Sequence, residues 1–364
     1  MLYLGVSFAD ATIYGTFDQA YQSDKVTVGT GTANTKKGIT GTLNGGNALG
    51  FKGNEDLGNG IKANFLIEFG MEGSDGMTGY SAGTSTNTLT GAAAGSPSVS
   101  NGVSNRQSFV GLSGGFGSVK IGKQYSEVFN AYCAYDMGGC AAMVGSVPLA
   151  VIIDESGDVR RSNQVNFSLP QFVEGLSINV GKSFGEAVKM GASVPATLNK
   201  NAGDGTNYSI SYRIGGFAGT LASETLDNTG SFAGALSNEP TASTTSKKKT
   251  TVTGLSYDIS GMAKVSYTNA KATVGTGSVK GNSFGVSVPL GAATVAFQTG
   301  NGDTKGTATT DTTSKLKASQ MILNYSLSKR TLTYFRQGSQ TETTSTGANA
   351  VKSSTTAFGV NHSF

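Results

Sequence analysis

Charged side chains of opposite sign are segregated in the middle of the sequence. The stretch 126–159 carries five carboxylates and no lysine or arginine. Arginines border it on both sides, with Arg106 before it and Arg160 and Arg161 after it. A loop that brings carboxylates opposite such cations creates a transverse electric field, which is poorly screened over distances below the Debye length of about 8–10 Å. Such a field orients polar solutes and hinders apolar ones, and no catalytic step is needed for it.

The two sides of the predicted field can be assigned to residues. The basic side is drawn from Arg106, Arg160, Arg161, Lys62 and Lys120. The acidic side is drawn from Asp136, Asp154, Glu155 and Asp158. Strand parity is taken to turn four of the cations inward, whereas Arg161 has the opposite parity and needs a β-bulge to join them. The alternative is that all of these are ordinary solvated charges.

Two cysteines lie seven positions apart in the same stretch, Cys133 and Cys140. Export to an oxidising compartment favours a disulfide between them, and closing a loop of about eight residues stabilises the fold by roughly 2–3 kcal/mol. Two free thiols or a metal site are the alternatives, and no histidine is near enough in sequence to favour a metal. We predict no metal and no cofactor.

One further motif resembles a catalytic signature. GYSAG at 79–83 matches the G-x-S-x-G nucleophile elbow, which needs a strand-to-helix corner and a histidine base. The segment lies in a Ser/Thr/Gly-rich stretch, and the chain's single histidine is His362. We therefore predict no catalytic residues and no enzyme.

The elements that would position these charges are β-strands. Residues 61–70 alternate strictly, with Ile61, Phe65 and Ile67 on one face and Lys62 and Glu68 on the other. Sixteen such segments can be counted, the first at 10–21 and the second at 48–53 after a polar loop. The hydrophobic content is only 37%, with 53 glycines and no apolar run long enough for a membrane helix.

These features predict an all-β fold, a sixteen-stranded antiparallel transmembrane β-barrel. The acidic stretch 126–159, which leaves and re-enters a sheet with basic edges, resembles a constriction loop folded inward. The apolar run VPLAVII (147–153) is expected to anchor that loop on the inner wall. A soluble Gly/Ser/Thr-rich β-solenoid or adhesin is the alternative for this composition.

The remaining parts of the chain add little. Residues 1–9 (MLYLGVSFA) fit the tail of a signal peptide with cleavage after Ala9, although the usual basic start is missing and a simple N-terminal extension is the alternative. Residues 10–364 then form the single barrel domain. The net charge of +4 is small for this length and does not indicate nucleic-acid binding.

Several motifs resemble the Gram-negative general porins, of the betaproteobacterial and neisserial type. They are LGFKGNEDLGNGIKANFLIEFG, NRQSFVGLSGGFGSVKIGKQY, RRSNQVNFSLPQFVEGLS, YSLSKRT and the terminal FGVNHSF, in the family's order. The resemblance implies a homotrimer in the cell outer membrane, with a latch near 72–105. It also implies contact with outer-membrane lipid and lipopolysaccharide, and Phe364 as the signal to the barrel-assembly machinery.

By this resemblance we expect a channel for passive diffusion of small hydrophilic solutes and ions. From the charges themselves we expect a weak to moderate anion preference, because the wall arginines keep their charge and fewer than five of the loop carboxylates face the ions. A saccharide-specific porin and a surface adhesin are the alternatives. Two departures from the family pattern bear on this expectation. Ala48 stands where the family commonly has a pore-facing arginine, and the cysteine pair is not an expected family feature.

Overall fold

The computed structural model describes residues 10–41, 43–71, 104–140, 147–152, 159–185, 204–227, 247–275, 277–305, 313–344 and 350–364. Nearly all of them form β-strands: β1 (Asp10–Val28), β2 (Asn34–Gly41), β3 (Ala48–Gly58), β4 (Ile61–Gly70), β5 (Ser104–Gly114), β6 (Gly117–Tyr125), β7 (Arg160–Ser168), β8 (Leu176–Ser183), β9 (Gly205–Ile214), β10 (Phe217–Asp227), β11 (Lys247–Ile259), β12 (Ala263–Val274), β13 (Gly277–Leu290), β14 (Ala293–Lys305), β15 (Ser314–Ser326), β16 (Thr331–Thr344) and β17 (Val351–Ser363).

The strands close into one antiparallel barrel. From β3 onwards each strand pairs with the next, and β17 returns to pair with β1 over Thr16–Val28. Among the described strands, β1 and β3–β17 form a closed ring, which a structure in lipid requires because no water is present to satisfy unpaired backbone groups. β2 pairs only with β1 in the part of the chain that the structure describes.

The second position in the barrel is shared by two strands. The same edge of β1 pairs with β3 as far as Thr16↔Ala48 and with β2 from Gln19↔Gly41 onwards. Three steps along β1 therefore correspond to seven along the chain from Gly41 to Ala48, which is a surplus of four residues within 42–47. Seventeen strand segments thus build a barrel of sixteen strands, as the alternation predicts.

The residues before Ala48 differ from the prediction. The sequence was expected to be a polar loop from about residue 22, yet β1 continues to Val28 and β2 pairs with it. The first six residues of β2, 34–39, are exposed. Because both faces of this hairpin are polar, it carries no period-two apolar signal in the sequence.

Side chains alternate between lipid and lumen as the pleat requires. Outward positions are apolar and exposed, for example Ile13 at 61% and Phe284 at 52%. Inward positions include buried polar groups such as Asp18 and Glu224. The apolar surface therefore faces outwards, and the lumen is polar except where a loop fills it.

That loop is the inner loop, residues 126–159, and two short helices are described in it: α1 (Glu127–Cys133) and α2 (Val147–Ile152). The Ser126 side chain caps α1 by accepting a hydrogen bond from the Phe129 amide. α1 packs on β9–β11, and α2 packs on β12–β15. Among the described residues, no helix is both long and apolar enough to cross a membrane.

The inner face of β10–β15, which we call the covered wall, is built to receive the inner loop. Its side chains there are small or aliphatic, and with the loop they form one buried cluster that includes Val128, Tyr132, Val147, Val151, Ile152, Ala222, Val252, Ala270, Ala272, Val279 and Leu316. Burying a side chain of valine or isoleucine size contributes about 1.5–3 kcal/mol. The apolar run 147–152, which forms α2, anchors the loop on the inner wall as predicted.

Candidate pore constriction

Across the lumen from the covered wall lies the inner face of β4–β7, which we call the uncovered wall. Tyr125, at the end of β6 where the inner loop begins, accepts hydrogen bonds there from two guanidinium groups. The Tyr125 hydroxyl oxygen accepts 2.9 Å hydrogen bonds from Nη2 of Arg106 and from Nη2 of Arg160. The Arg160 guanidinium also lies 4.6 Å from the centre of the Tyr125 ring. That ring stacks on Phe129 of α1 at 4.8 Å between centroids. The two positive charges are therefore held where the wall and the loop meet.

One carboxylate, Glu68 on β4, partly balances them. Arg106 Nε donates to Glu68 Oε1 at 2.7 Å, and the Tyr14 hydroxyl donates to Oε2 at 2.9 Å. We call Glu68, Arg106, Tyr125 and Arg160 the arginine cluster. Two guanidinium groups and one carboxylate leave it with a net charge of +1.

Arg106 reaches the lumen through an irregularity, not through strand parity. Regular alternation would group it with Val110, which is 57% exposed on the outer face. The register between β4 and β5 shifts at Glu68/Phe69, so Arg106 turns inward together with Gln107. The parity argument for Arg106 was therefore wrong, although the predicted inward placement agrees with the structure.

Arg161 enters the lumen through the bulge that its parity required. The register of β6 and β7 shifts between Gly122 and Gln124, and Asn163 has a φ of 48°. Both ends of the Arg161 guanidinium donate to Glu224 on β10, at 2.8 and 2.7 Å, and both side chains are almost fully buried. This bidentate pair ties the uncovered wall to β10 and offsets the Arg161 charge.

The two lysines of the predicted basic side lie apart from the arginine cluster. Lys62 is exposed beside the turn between β3 and β4, six residues along β4 from Glu68, which is about 20 Å at 3.3 Å per residue. Its predicted place in the constriction is therefore wrong. Lys120 faces inward, with its ammonium 5.2 Å from the centre of the Phe109 ring. Ala48 pairs with Thr16 and is buried on the lumen side.

Lys120 lies in a cavity of 420 Å³ beneath α1. Amide and hydroxyl groups dominate its lining, among them Gln107, Gln124, Asn130, Asn166, Ser209 and Thr220. One carboxylate borders it, Glu127, which accepts hydrogen bonds from Asn166 at 2.9 Å and Ser209 at 2.6 Å. The passage below the arginine cluster is thus polar, with one lysine and one hydrogen-bonded carboxylate.

Asp136 does not face the arginine cluster, contrary to the sequence prediction. Its Oδ1 accepts from Gln298 Nε2 and its Oδ2 from the Cys140 amide, both at 2.9 Å. Gln298 Oε1 in turn accepts from the Met137 amide at 2.9 Å. Burial raises the pKa of the Asp136 carboxyl despite these hydrogen bonds. Asp136 therefore fastens the loop to β14 and does not line the side of the loop that faces Arg106.

The structure joins Cys133 and Cys140 in a disulfide with their Cα atoms 5.1 Å apart. The bond links the end of α1 to Cys140, whose backbone amide donates a hydrogen bond to Asp136 and whose φ is 62°. It thereby closes the turn that presents Asp136 and Met137 to Gln298.

Sequence reasoning missed Arg336 on β16, which connects the tip of the inner loop to the seam between β2 and β3. Arg336 Nη1 donates to the Gly138 carbonyl at 2.9 Å, and Nη2 donates to Asn44 Oδ1. Asp18 accepts from the Asn44 amide and from the Tyr334 hydroxyl, both at 2.7 Å. Strand parity could have placed Arg336 inward, but its partners lie in an irregular turn of the inner loop and in the connection between β2 and β3.

Some predicted residues lie outside the described part of the chain: Asp154, Glu155, Asp158, residues 1–9, and all but the last two residues of the predicted latch at 72–105. Phe364 is described. Its amide and carbonyl pair with Gly15, at 3.0 and 3.2 Å. A Cβ on Gly15 would lie 2.4 Å from the Phe364 ring, so the absence of a side chain there makes room for it.

Comparison with solved structures supports this architecture. The chain superposes on an anion-selective porin from Comamonas acidovorans with a TM-score of 0.74 and 19% identity, over 98% of this chain and 100% of the other. It also superposes on the trimer form of OmpT from Vibrio cholerae, with a TM-score of 0.63 and 13% identity, over 98% and 99% of the two chains. At these identities the likeness establishes the fold.

Sequence comparison identifies the family. The chain is 28% identical over 221 residues to the major outer membrane protein P.IB of Neisseria meningitidis serogroup B, covering 58% of this chain and 52% of the relative. It is 32% identical over 172 residues to P.IB of Neisseria gonorrhoeae, covering 45% and 40%. The chain thus matches about half the length of these curated relatives. The family model for Gram-negative porins matches residues 4–346. The chain therefore belongs to the Gram-negative porin family and is a protein of the outer membrane.

Proposed function

We propose that the protein is a non-catalytic channel for passive diffusion of small hydrophilic solutes and ions, with a weak to moderate preference for anions. The arginine cluster carries this proposal, because it fixes two guanidinium groups at the junction of wall and loop. Fixed charges act on permeation where the pore is narrow and water is scarce. The family agrees with it, and so does the anion-selective porin from Comamonas acidovorans on which the chain superposes.

The charged side chains of the described residues favour a weak preference for anions. The arginine cluster and the adjoining cavity hold Arg106, Arg160 and Lys120 against Glu68 and Glu127, which leaves +1 at this place. Lys264 also reaches the loop, with its ammonium 3.5 Å from the Ala134 carbonyl oxygen. Arg161 is offset by Glu224. A net charge this small argues against strong selectivity of either sign.

Three further assignments complete the proposal. The predicted latch, together with the trimer form named for the Vibrio protein, supports a homotrimer. Phe364 closes β17 against Gly15, which is consistent with a part in recognition by the barrel-assembly machinery. Lipid and lipopolysaccharide are the expected surroundings of the outer face.

Planar-bilayer recording in a KCl gradient tests the channel. We expect Arg106→Ala and Arg160→Ala each to shift the zero-current potential toward cations, and Ala48→Arg to shift it toward anions. Lys329→Ala, in the exposed turn before β16, is the matched control and should leave the potential unchanged. Absence of conductance would favour the adhesin alternative, and saturation of ion current by an oligosaccharide would favour a saccharide-specific porin.

A further inference from the structure

The cavity beneath α1 contains two opposite charges that do not pair with each other. The ammonium group of Lys120 enters it from β6, and the carboxylate of Glu127 enters it from the first residue of α1. Within the described ranges neither group forms a salt bridge. A charge withdrawn from bulk water is costly unless it is paired or hydrogen-bonded. Each group can therefore still accept a partner of opposite charge.

Neutral hydrogen bonds fix the Glu127 carboxylate in position. Besides the bonds from Asn166 and Ser209, the network continues outward: Ser209 Oγ accepts from Asn179 at 3.0 Å, and Asn179 Oδ1 accepts from Ser168 at 2.6 Å. An ionised carboxylate has about four acceptor sites, so about two remain for a ligand. Because every group in this network is neutral, the negative charge of Glu127 is oriented but not compensated.

Lys120 lies on the other side of Asn166 from this carboxylate. Asn166 on β7 is directly opposite Lys120 in the sheet, whereas the Lys120 ammonium leans the other way, toward the Phe109 ring on β5. The two charges thus flank a polar gap. The lysine stem is flexible, so the ammonium can adjust to the length of a ligand that the fixed carboxylate holds.

The rest of the cavity suits a small polar molecule with a short hydrocarbon part. Its volume of 420 Å³ falls within the range of about 300–1,000 Å³ that is usual for small-molecule sites. The side-chain amides of Gln107 and Asn130 line it and make no hydrogen bond with another described residue. Leu66, Ala131 and Ala134 supply apolar surface between these groups.

We propose that this cavity is a binding subsite for small zwitterions, specifically α-amino acids with an amide or hydroxyl side chain. The carboxylate of the solute pairs with Lys120, its ammonium pairs with Glu127, and its side chain bonds the free amides. A simple anion would be repelled by Glu127, and a sugar would leave both charges unpaired. This inference rests on the proposed channel function and names a class of solute that the passage retains.

Ion-current noise of the full-length protein in planar bilayers tests the subsite with three probes of one carbon skeleton. L-glutamine carries both charges at pH 7, 4-carbamoylbutanoate lacks the ammonium, and L-glutaminamide lacks the carboxylate. At about 0.1 M KCl the Debye length is about 10 Å, so ion pairs inside the cavity are only partly screened. We expect glutamine to bind about fivefold more tightly than either analogue.

Two variants assign the charges. Lys120→Met should weaken binding of glutamine and of the anionic analogue about fivefold and leave the cationic analogue unaffected. Glu127→Gln can still accept from Asn166 and bond Ser209, and it should weaken glutamine and the cationic analogue but not the anionic one. The matched controls are Lys329→Met and Glu174→Gln, at exposed positions in short turns, which should bind all three probes as the wild type does.

Several results would overturn the proposal. They are equal binding of the three probes by the wild type, equal loss of all probes in either variant, or binding of the uncharged polyol sorbitol as tight as that of glutamine. Normal conductance without a response to glutamine would refute the subsite alone, whereas absence of conductance would refute the channel as well. The comparison of probes on the wild type needs no variant, so a variant that fails to fold does not prevent the test.

Discussion

The covered and uncovered walls hold the two sides of the lumen by different means. On the covered wall, small side chains let the loop approach the sheet: a Cβ on Gly254 would lie 2.0 Å from the Tyr135 ring, and one on Gly281 would lie 3.0 Å from Val147. On the uncovered wall, irregular ladders turn Arg106 and Arg161 into the lumen, where hydrogen bonds fix them. Close packing therefore positions the loop, and departures from regular pairing position the charges.

The difference indicates which changes each wall can tolerate. A small covered-wall residue such as Gly254 acts through its volume, because the loop packs directly against it, whereas Gln298 on the same wall acts through hydrogen bonds. An uncovered-wall residue acts through its charge and its hydrogen-bonding atoms, because its partners are a few specific groups. Four variants test this division, in order of decreasing expected effect.

The largest effect is expected at the buried pair on β7 and β10. Arg161→Met leaves Glu224 as an uncompensated buried carboxylate, so the free energy of unfolding should fall by about 3–5 kcal/mol. The double variant Arg161→Met/Glu224→Leu removes both charges and should recover most of that loss. Urea unfolding in lipid vesicles measures both. Equal stability of the single and double variants would show that the pair is not the source of the effect.

The second variant tests the arginine cluster without changing its charge. Tyr125→Phe keeps the ring on Phe129 but removes the oxygen that accepts from Arg106 and Arg160. Hydrogen bonds to charged groups contribute about 1.5–3 kcal/mol, so both guanidinium groups should become less well ordered. We expect higher open-channel noise with the same sign of zero-current potential, and no change in Tyr257→Phe on the outer face. A reversal of sign would contradict the division between position and charge.

The third variant tests the covered wall. Gly254→Val places side-chain atoms where the Tyr135 ring lies, and overpacking of this kind costs about 1–3 kcal/mol. The loop should detach from the wall and single-channel conductance should change, with faster protease cleavage in the loop. Gly219→Val is the control, because its Cβ points at Leu255 on the outer face at 3.2 Å. Unchanged conductance in Gly254→Val would contradict tight packing at this point.

The smallest effect concerns pH. Because the pKa of Asp136 in the folded loop is raised by burial, the docked loop binds a proton more tightly than the undocked loop. Docking is therefore most stable below the ordinary pKa of an aspartate and weakens as pH rises through the raised value. The rate at which a phosphine reduces the Cys133–Cys140 disulfide should rise over that range. Asp136→Asn should remove the dependence, and a rate that falls with rising pH in the wild type would refute the assignment.

Much of the fold follows from the sequence, and the reasons are local. Period-two alternation such as that of 61–70 identifies a strand and both of its faces, and the apolar start of α2 identifies the loop's anchor. β2 was missed because its first six residues, 34–39, are exposed on both faces and its sequence carries no such alternation.

The site is less accessible to prediction because it depends on departures from regularity. A register shift at Glu68/Phe69 cannot be read from alternation, so the parity argument for Arg106 failed. Lys62 has the correct parity but lies too far along β4, which parity does not measure. Asp136 was assigned to the pore side by its charge, whereas its orientation is set by Gln298, more than 150 residues later in the chain.

Closure of the barrel imposes an order on its assembly. The inner loop is joined to β6 and β7, but α2 rests on β12–β15, so its binding surface does not exist until much later strands are in place. The first and last strands meet through residues such as Thr16 and Ser363, which are 347 positions apart, and contacts of such long range are slow to form. Docking of α2 therefore follows the formation of β12–β15, and the passage is narrowed only after most of the strands are in place.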